Sequence, residues 1–106
     1  MIPQLYEIYE ARIRLNQAQY SRPCIVVRID RPGGCSVFPI SSAMELYAGP
    51  RVHFKIETTD PDFSKTGLTV DSYIIGERFI PISDVDLLRK RGQIEGELLK
   101  RFMKWI

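Results

Sequence analysis

Arg22-Pro23-Cys24-Ile25-Val26-Val27-Arg28-Ile29 is a continuous, largely β-branched run that opens on a proline, and Arg31-Pro32-Gly33-Gly34 follows it almost at once. Side chains of this type over six or more residues suit a strand buried on both faces. The Pro-Gly-Gly step is turn chemistry: proline presets one dihedral and glycine accepts a positive φ. Cys35-Ser36-Val37-Phe38-Pro39-Ile40 should therefore return antiparallel, with Pro39 marking the end of its regular pairing. The start of the first strand and the end of the second then lie at the same end of the hairpin, which brings Arg22 beside Ser41. A guanidinium next to a hydroxyl at a sheet mouth can bind phosphate through paired, charge-assisted hydrogen bonds.

Outward from this hairpin the chain alternates strands and links. Tyr6 to Leu15 reads as a first strand, and the polar stretch Asn16 to Ser21 as a mobile loop. Ser41 to Tyr47 can form about one helical turn before Gly49-Pro50. Arg51 to Glu57 alternates as a strand with Val52, Phe54 and Ile56 on one face, so His53 should point to solvent. Thr58 to Gly67 reads as a loop, then Leu68 to Ile75 and Arg78 to Ile82 as two strands interrupted near Gly76-Glu77. Ser83 can cap a helix from about Asp84, closed by Gly92, because the acids at its start and Arg89, Lys90 and Arg91 at its end suit the helix dipole. A final amphipathic helix starts near Glu95, with Leu98, Leu99, Phe102, Met103 and Ile106 as its apolar side. Together these elements predict a mainly β domain, a small curled antiparallel sheet or barrel capped by a C-terminal helix.

The 106 residues, 44% hydrophobic and 26% charged, allow one compact domain and argue against disorder. No apolar run reaches the length of a membrane span, and Met1-Ile2-Pro3-Gln4 has no charged leader before an apolar stretch, so a soluble cytoplasmic protein is expected. Two cysteines and one histidine make neither a disulfide scaffold nor a metal-ligand set, and no metal or cofactor is expected. Cys24 and Cys35 read as buried small apolar residues. The net charge of +2 announces no nucleic-acid binder, yet its distribution is uneven: five arginines between Arg12 and Arg31 meet one acid, whereas seven acids between Glu57 and Asp86 meet two cations.

The ordered segments resemble the PemK/MazF family of toxins from toxin–antitoxin systems. Glu7-Ile8-Tyr9-Glu10-Ala11-Arg12-Ile13 is similar to its first strand, and Arg22-Pro23-Cys24-Ile25-Val26-Val27 to its Arg-Pro-apolar signature. Val37-Phe38-Pro39-Ile40-Ser41-Ser42 is similar to its strand ending in Pro-x-Thr/Ser. Thr66 to Ile74 and Gly92 to Trp105 resemble its later strand and closing helix. The resemblance implies an SH3-like barrel, a homodimer, a cognate antitoxin as partner, and metal-independent endoribonuclease activity on single-stranded RNA. It places Arg22 at the catalytic arginine position, Ser41 at the hydroxyl position and Asp71 where some members use an acid. Arg14, Gln17, Gln19, Tyr20 and Ser42 are then the RNA contacts, since amides and aromatic rings can bond to or stack on unpaired bases. The chain departs from the family pattern at Glu10, Arg12 and Ser41. The ending Lys104-Trp105-Ile106 is also similar to the tail of CcdB-like toxins, which share the barrel and poison DNA gyrase without catalysis. A family member that kept the fold and lost cleavage is a further alternative.

Overall fold

The computed structural model describes residues 2–15, 18–42 and 53–106. Among the described residues seven strands and one α-helix follow in chain order: β1 Glu7–Leu15, β2 Ala18–Arg31, β3 Gly34–Ser41, β4 His53–Ile56, β5 Ser72–Ile75, β6 Ile80–Ser83, β7 Leu87–Gln93 and α1 Gly96–Trp105. The strands form one antiparallel sheet in the order β4-β5-β3-β2-β1-β7, with β6 also paired to β3. Among the described residues the sheet does not close, its path ending at β4 on one side and β7 on the other. Among the described residues no helix is long and apolar enough to cross a membrane.

The β2–β3 hairpin forms as its sequence predicts. Arg31 pairs with Gly34 across Pro32-Gly33, and Gly33 takes a φ of 83°, which a side chain would resist. Pairing of β3 with β2 ends at Cys24–Pro39, since proline has no N–H to give to the ladder. Beyond Pro39, β3 changes partner, and Ile40 and Ser41 pair with Ile74 and Tyr73 of β5. Both β5 and β6 lie along this one edge of β3, separated at Gly76–Phe79, the interruption the sequence signals.

Long central strands that are apolar on both faces give the sheet a core on each side. One contains Ile8, Ile25, Phe38, Ile40, Phe54, Ile74, Leu98 and Phe102; the other contains Tyr9, Ala11, Ile13, Cys24, Val26, Cys35 and Val37. Helix α1 closes the first through Leu98 and Phe102, with Leu99 at its margin, whereas Met103 and Ile106 remain about half exposed.

Four local readings are corrected. Ala18 to Ser21 belong to β2 rather than to a loop: Ile13, Arg14 and Leu15 pair with Tyr20, Gln19 and Ala18, and this cross-strand pairing overrides a polar composition. Asp84 to Gly92 is not a helix but a 3-10 turn, Asp84–Asp86, followed by β7. The free edge of β1 decides this, because it offers Glu7 to Lys90 at 2.7 Å and Glu10 to Arg91 at 3.1 Å. His53 is buried rather than solvent-facing, its ring set edge-on to Tyr73 at 5.6 Å. Regular pairing of β5 begins only at Ser72, since Leu68 to Asp71 form the exit from a 3-10 turn at Phe63–Thr66. The helical turn read over 43–47 lies outside the described residues, as do positions 51 and 52 of the strand read there.

Candidate functional site

The register carries Arg22-Pro23 and Ile40-Ser41 to the open end of the β2–β3 hairpin. There Arg22, Ser41, Ser42, Thr69, Ser72 and Arg91 line one cleft of about 260 Å³. The juxtaposition of Arg22 with Ser41 that the hairpin geometry predicts is thus present, and Ser42 joins it. On the other side of Arg22 lies a second cavity of about 130 Å³, bounded by Ile13, Tyr20, Ile75, Glu77, Arg78 and Ile80. Arg22 borders both.

The surroundings of Arg22 are those of a cation prepared for an anion. Its Nε is buried without a hydrogen-bond partner, and its guanidinium carbon lies 4.9 Å from the centre of the Tyr20 ring. Ring contact orients the planar group and shields it from water. A buried N–H of a charged group that lacks a partner costs free energy.

Arg91 also lines the cleft. Its Nη1 donates to Oε1 of Glu10 at 3.1 Å and its Nη2 to the carbonyl of Gly67 at 3.0 Å. Glu10 is therefore paired with a cation, and Arg12 likewise pairs with Asp86 at 3.4 Å. No local pattern marks Arg91 for a site role, since Arg89-Lys90-Arg91 fits a helix C-terminus; its bond to Glu10, 81 residues away in the chain, is the tertiary fact that places it. Glu77 and Arg78 were also unassigned by sequence, although the Gly76-Glu77 interruption between two strands marks the kind of irregular segment where functional groups collect.

The remaining candidates divide. Tyr20 lines the second cavity. Arg14 and Gln19 are exposed partners across the β1–β2 pair. Gln17 lies outside the described residues. Asp71 is exposed and accepts the N–H of Thr58 at 2.7 Å; its neighbours Val70 and Ser72 line the cleft, and Asp71 does not.

Neither thiol is chemically poised. Burial pushes Cys24 up to about 12 and Cys35 up to about 11, with the carboxylates of Asp84 and Asp30 adding to the shift at Cys35. Among the described residues no three His, Cys, Asp or Glu side chains are grouped to hold a metal ion. Tyr9, Glu7 and Lys90 form a polar group on the outer strands, in which Glu7 accepts from the Tyr9 hydroxyl at 2.8 Å.

No protein-family model matches the chain, and no curated protein matches it in sequence.

Proposed function

We propose that this protein is a toxin of the PemK/MazF type, an endoribonuclease with an SH3-like barrel that cleaves single-stranded RNA without a metal ion and is neutralised by a cognate antitoxin. A cytoplasmic homodimer belongs to the same reading. One observation carries it: Arg22, with a buried unpartnered Nε, shares a cleft with Ser41 at the mouth of the hairpin. An antiparallel sheet with a C-terminal helix packed on it supports the coarser, mainly β part of this reading.

In this reading the ribose 2′-oxygen attacks the adjacent phosphorus and the bond from phosphorus to the 5′-oxygen breaks, leaving a 2′,3′-cyclic phosphate and a 5′-hydroxyl. Charge gathers on the non-bridging oxygens, and Arg22 stabilises it. Loss of one such donor costs roughly 10² to 10³ in rate. Ser41 holds the phosphate in line. A carboxylate takes the proton of the 2′-hydroxyl, and a proton is returned to the departing 5′-oxygen. The resemblance gives the carboxylate role to Asp71; the cavity beside Arg22 favours Glu77. Tyr20, Gln19, Arg14, Gln17 and Ser42 are the proposed RNA contacts.

The gyrase-poisoning alternative draws on the C-terminal Trp105. That ring packs against Phe38, Phe54 and Phe102 at 6.3, 5.7 and 5.6 Å, which gives it a core role instead. The deciding assay incubates the purified protein with mixed-sequence single-stranded RNA in chelator, beside Arg22→Ala. Chelator-resistant cleavage that Arg22→Ala loses is the expected result. Intact RNA with trapped gyrase–DNA complexes in a supercoiling reaction would turn the assignment to gyrase, and a correctly folded protein inert in both would leave the fold without the activity.

A further inference from the structure

The guanidinium of Arg22 lies on the sheet face of Tyr20, whose ring it covers and which packs with Ile13, Cys24 and Val26. Ile40, Phe54 and Ile74 fill the core on the other face. Strand alternation therefore turns Ser41, His53, Lys55, Tyr73 and Ile75 to the side of Arg22. The pairings Ser41–Tyr73 and Tyr73–Lys55 align these residues in a row across β3, β5 and β4. Continuing the Cys24–Pro39 register along both strands puts Arg22 at the head of that row, on β2. A second row, Cys24, Pro39, Ile75 and His53, borders the first, and Pro39 and Ile75 line the same cavity as Arg22.

Tyr73 is the aromatic member of the first row and is partly exposed. The buried imidazole of His53 sets its ring, the two standing at 79° with centres 5.6 Å apart. Nζ of Lys55 lies 5.8 Å from the ring centre and 3.4 Å from Oε1 of Glu57, so the charge of this lysine is already balanced. Glu57, two residues beyond Lys55, and Asp71, two before Tyr73, are both exposed, which makes the outer end of the row acidic. That end repels phosphate, whereas the Arg22 end attracts it. What the row offers a nucleic acid beyond Arg22 is thus a ring and not a charge. Tyr73 stands two strand spacings, about 10 Å, from Arg22, within reach of a base whose phosphate the arginine holds.

Resting on the ribonuclease reading, we infer that Tyr73 is a base-stacking residue and that His53 is the positioning residue that sets its ring. Single-stranded RNA then runs across the strands of the sheet, with the scissile phosphate at Arg22 and Ser41 and an adjoining base on Tyr73. Lys55, on an exposed and flexible side chain, yields the ring to the base. Every base has a π-face, so Tyr73 supplies affinity and alignment and leaves sequence choice to other contacts.

The test measures binding of a fully 2′-O-methylated single-stranded oligonucleotide, which cannot be cleaved, beside a set of the same oligonucleotide with an abasic site at each position in turn. Tyr73→Ala is expected to weaken binding of the intact strand by about 5- to 150-fold, the loss of one stacked base. One abasic strand should show the same loss with wild-type protein, and on that strand Tyr73→Ala should lose nothing further. Tyr73→Phe keeps the ring and should bind within about twofold of wild type. Tyr73→Leu keeps bulk on the sheet without the π-face, and it replaces Tyr73→Ala if that variant fails to fold by thermal melting. His53→Ala should weaken binding of the intact strand but not of that abasic one, and His53→Phe should restore it. Equal losses on the intact and every abasic strand, or a Tyr73→Phe as weak as Tyr73→Leu, would overturn the inference; His53→Ala at wild-type affinity would overturn the positioning role. A wild-type protein that neither binds nor cleaves RNA would instead overturn the ribonuclease reading beneath it. Arg22-dependent cleavage with unchanged binding in Tyr73→Ala and Tyr73→Leu would overturn this inference alone.

Discussion

Trp105 lies over Gly76: a Cβ on that glycine would stand 2.5 Å from Cη2 of the indole. The contact joins the last turn of α1 to the irregular segment between β5 and β6, immediately before Glu77 and Arg78. Gly76→Ala must push the indole out of its place among Phe38, Phe54 and Phe102. Overpacking of this kind costs about 1 to 3 kcal/mol. Chemical denaturation should show a lower midpoint at unchanged slope, and a midpoint equal to wild type would show that the ring moves freely.

Glu77 and Asp71 compete for one role in the proposed reaction, and the structure separates them: the first lines the cavity beside Arg22, while the second holds the N–H of Thr58. Glu77→Gln is expected to lower kcat by about 10² or more, the usual contribution of a positioned general base. Asp71→Asn should stay within a few-fold of wild type. Single-turnover cleavage of a short RNA measures both, and the opposite ranking would return the base to Asp71.

Asp60 ties the helix to the segment after β4. It accepts from both Nη atoms of Arg101, at 2.9 and 3.2 Å, and from the N–H of Glu57 at 2.7 Å. The Arg101 guanidinium first, and the Glu57 N–H after it, hold its carboxyl below the ordinary aspartate value despite opposing burial. A depressed pKa in the folded state means that the stabilisation is fully present above the unfolded value near 4 and fades as pH falls through the folded one. Asp60→Asn should cost about 1 to 2 kcal/mol at pH 7, by loss of charge-assisted bonds, and the difference from wild type should shrink progressively in melts as pH falls below about 4. A gap that persists unchanged in acid would mean that the charge is not the cause.

Cys24 and Cys35 are both fully buried, and burial raises each thiol far above neutrality. At pH 7.5 the native protein should resist a disulfide-exchange reagent over minutes, and two thiols should titrate at once in denaturant. Rapid labelling of the folded chain would show that one of these strands opens on that timescale.

The β2–β3 hairpin, its turn, the interruption at Gly76-Glu77 and the closing helix were legible because each depends on neighbours close in the chain. A β-branched run, a Pro-Gly turn and a 3.6-residue apolar period carry their own instructions. Arg22 beside Ser41 followed from that hairpin alone. Asp84 to Gly92 misled for the same reason: its local charges favour a helix, but the free edge of β1 pairs Glu7 and Glu10 with Lys90 and Arg91, and cross-strand pairing with burial outweighs a weak local preference. His53 was misplaced because strand alternation says which residues share a face, not whether both faces are covered.

A β-rich chain with one hairpin mouth and one amphipathic helix follows from the order of the residues alone, since those features are written in residues a few positions apart. What else stands at that mouth depends on how remote segments pack. Arg91 reaches it through a bulge and two glycine contacts, and Glu77 reaches the cavity on the other side of Arg22 because β5 and β6 share an edge of β3. Such placements depend on backbone approach between segments remote in the chain, and no local pattern of side chains encodes them.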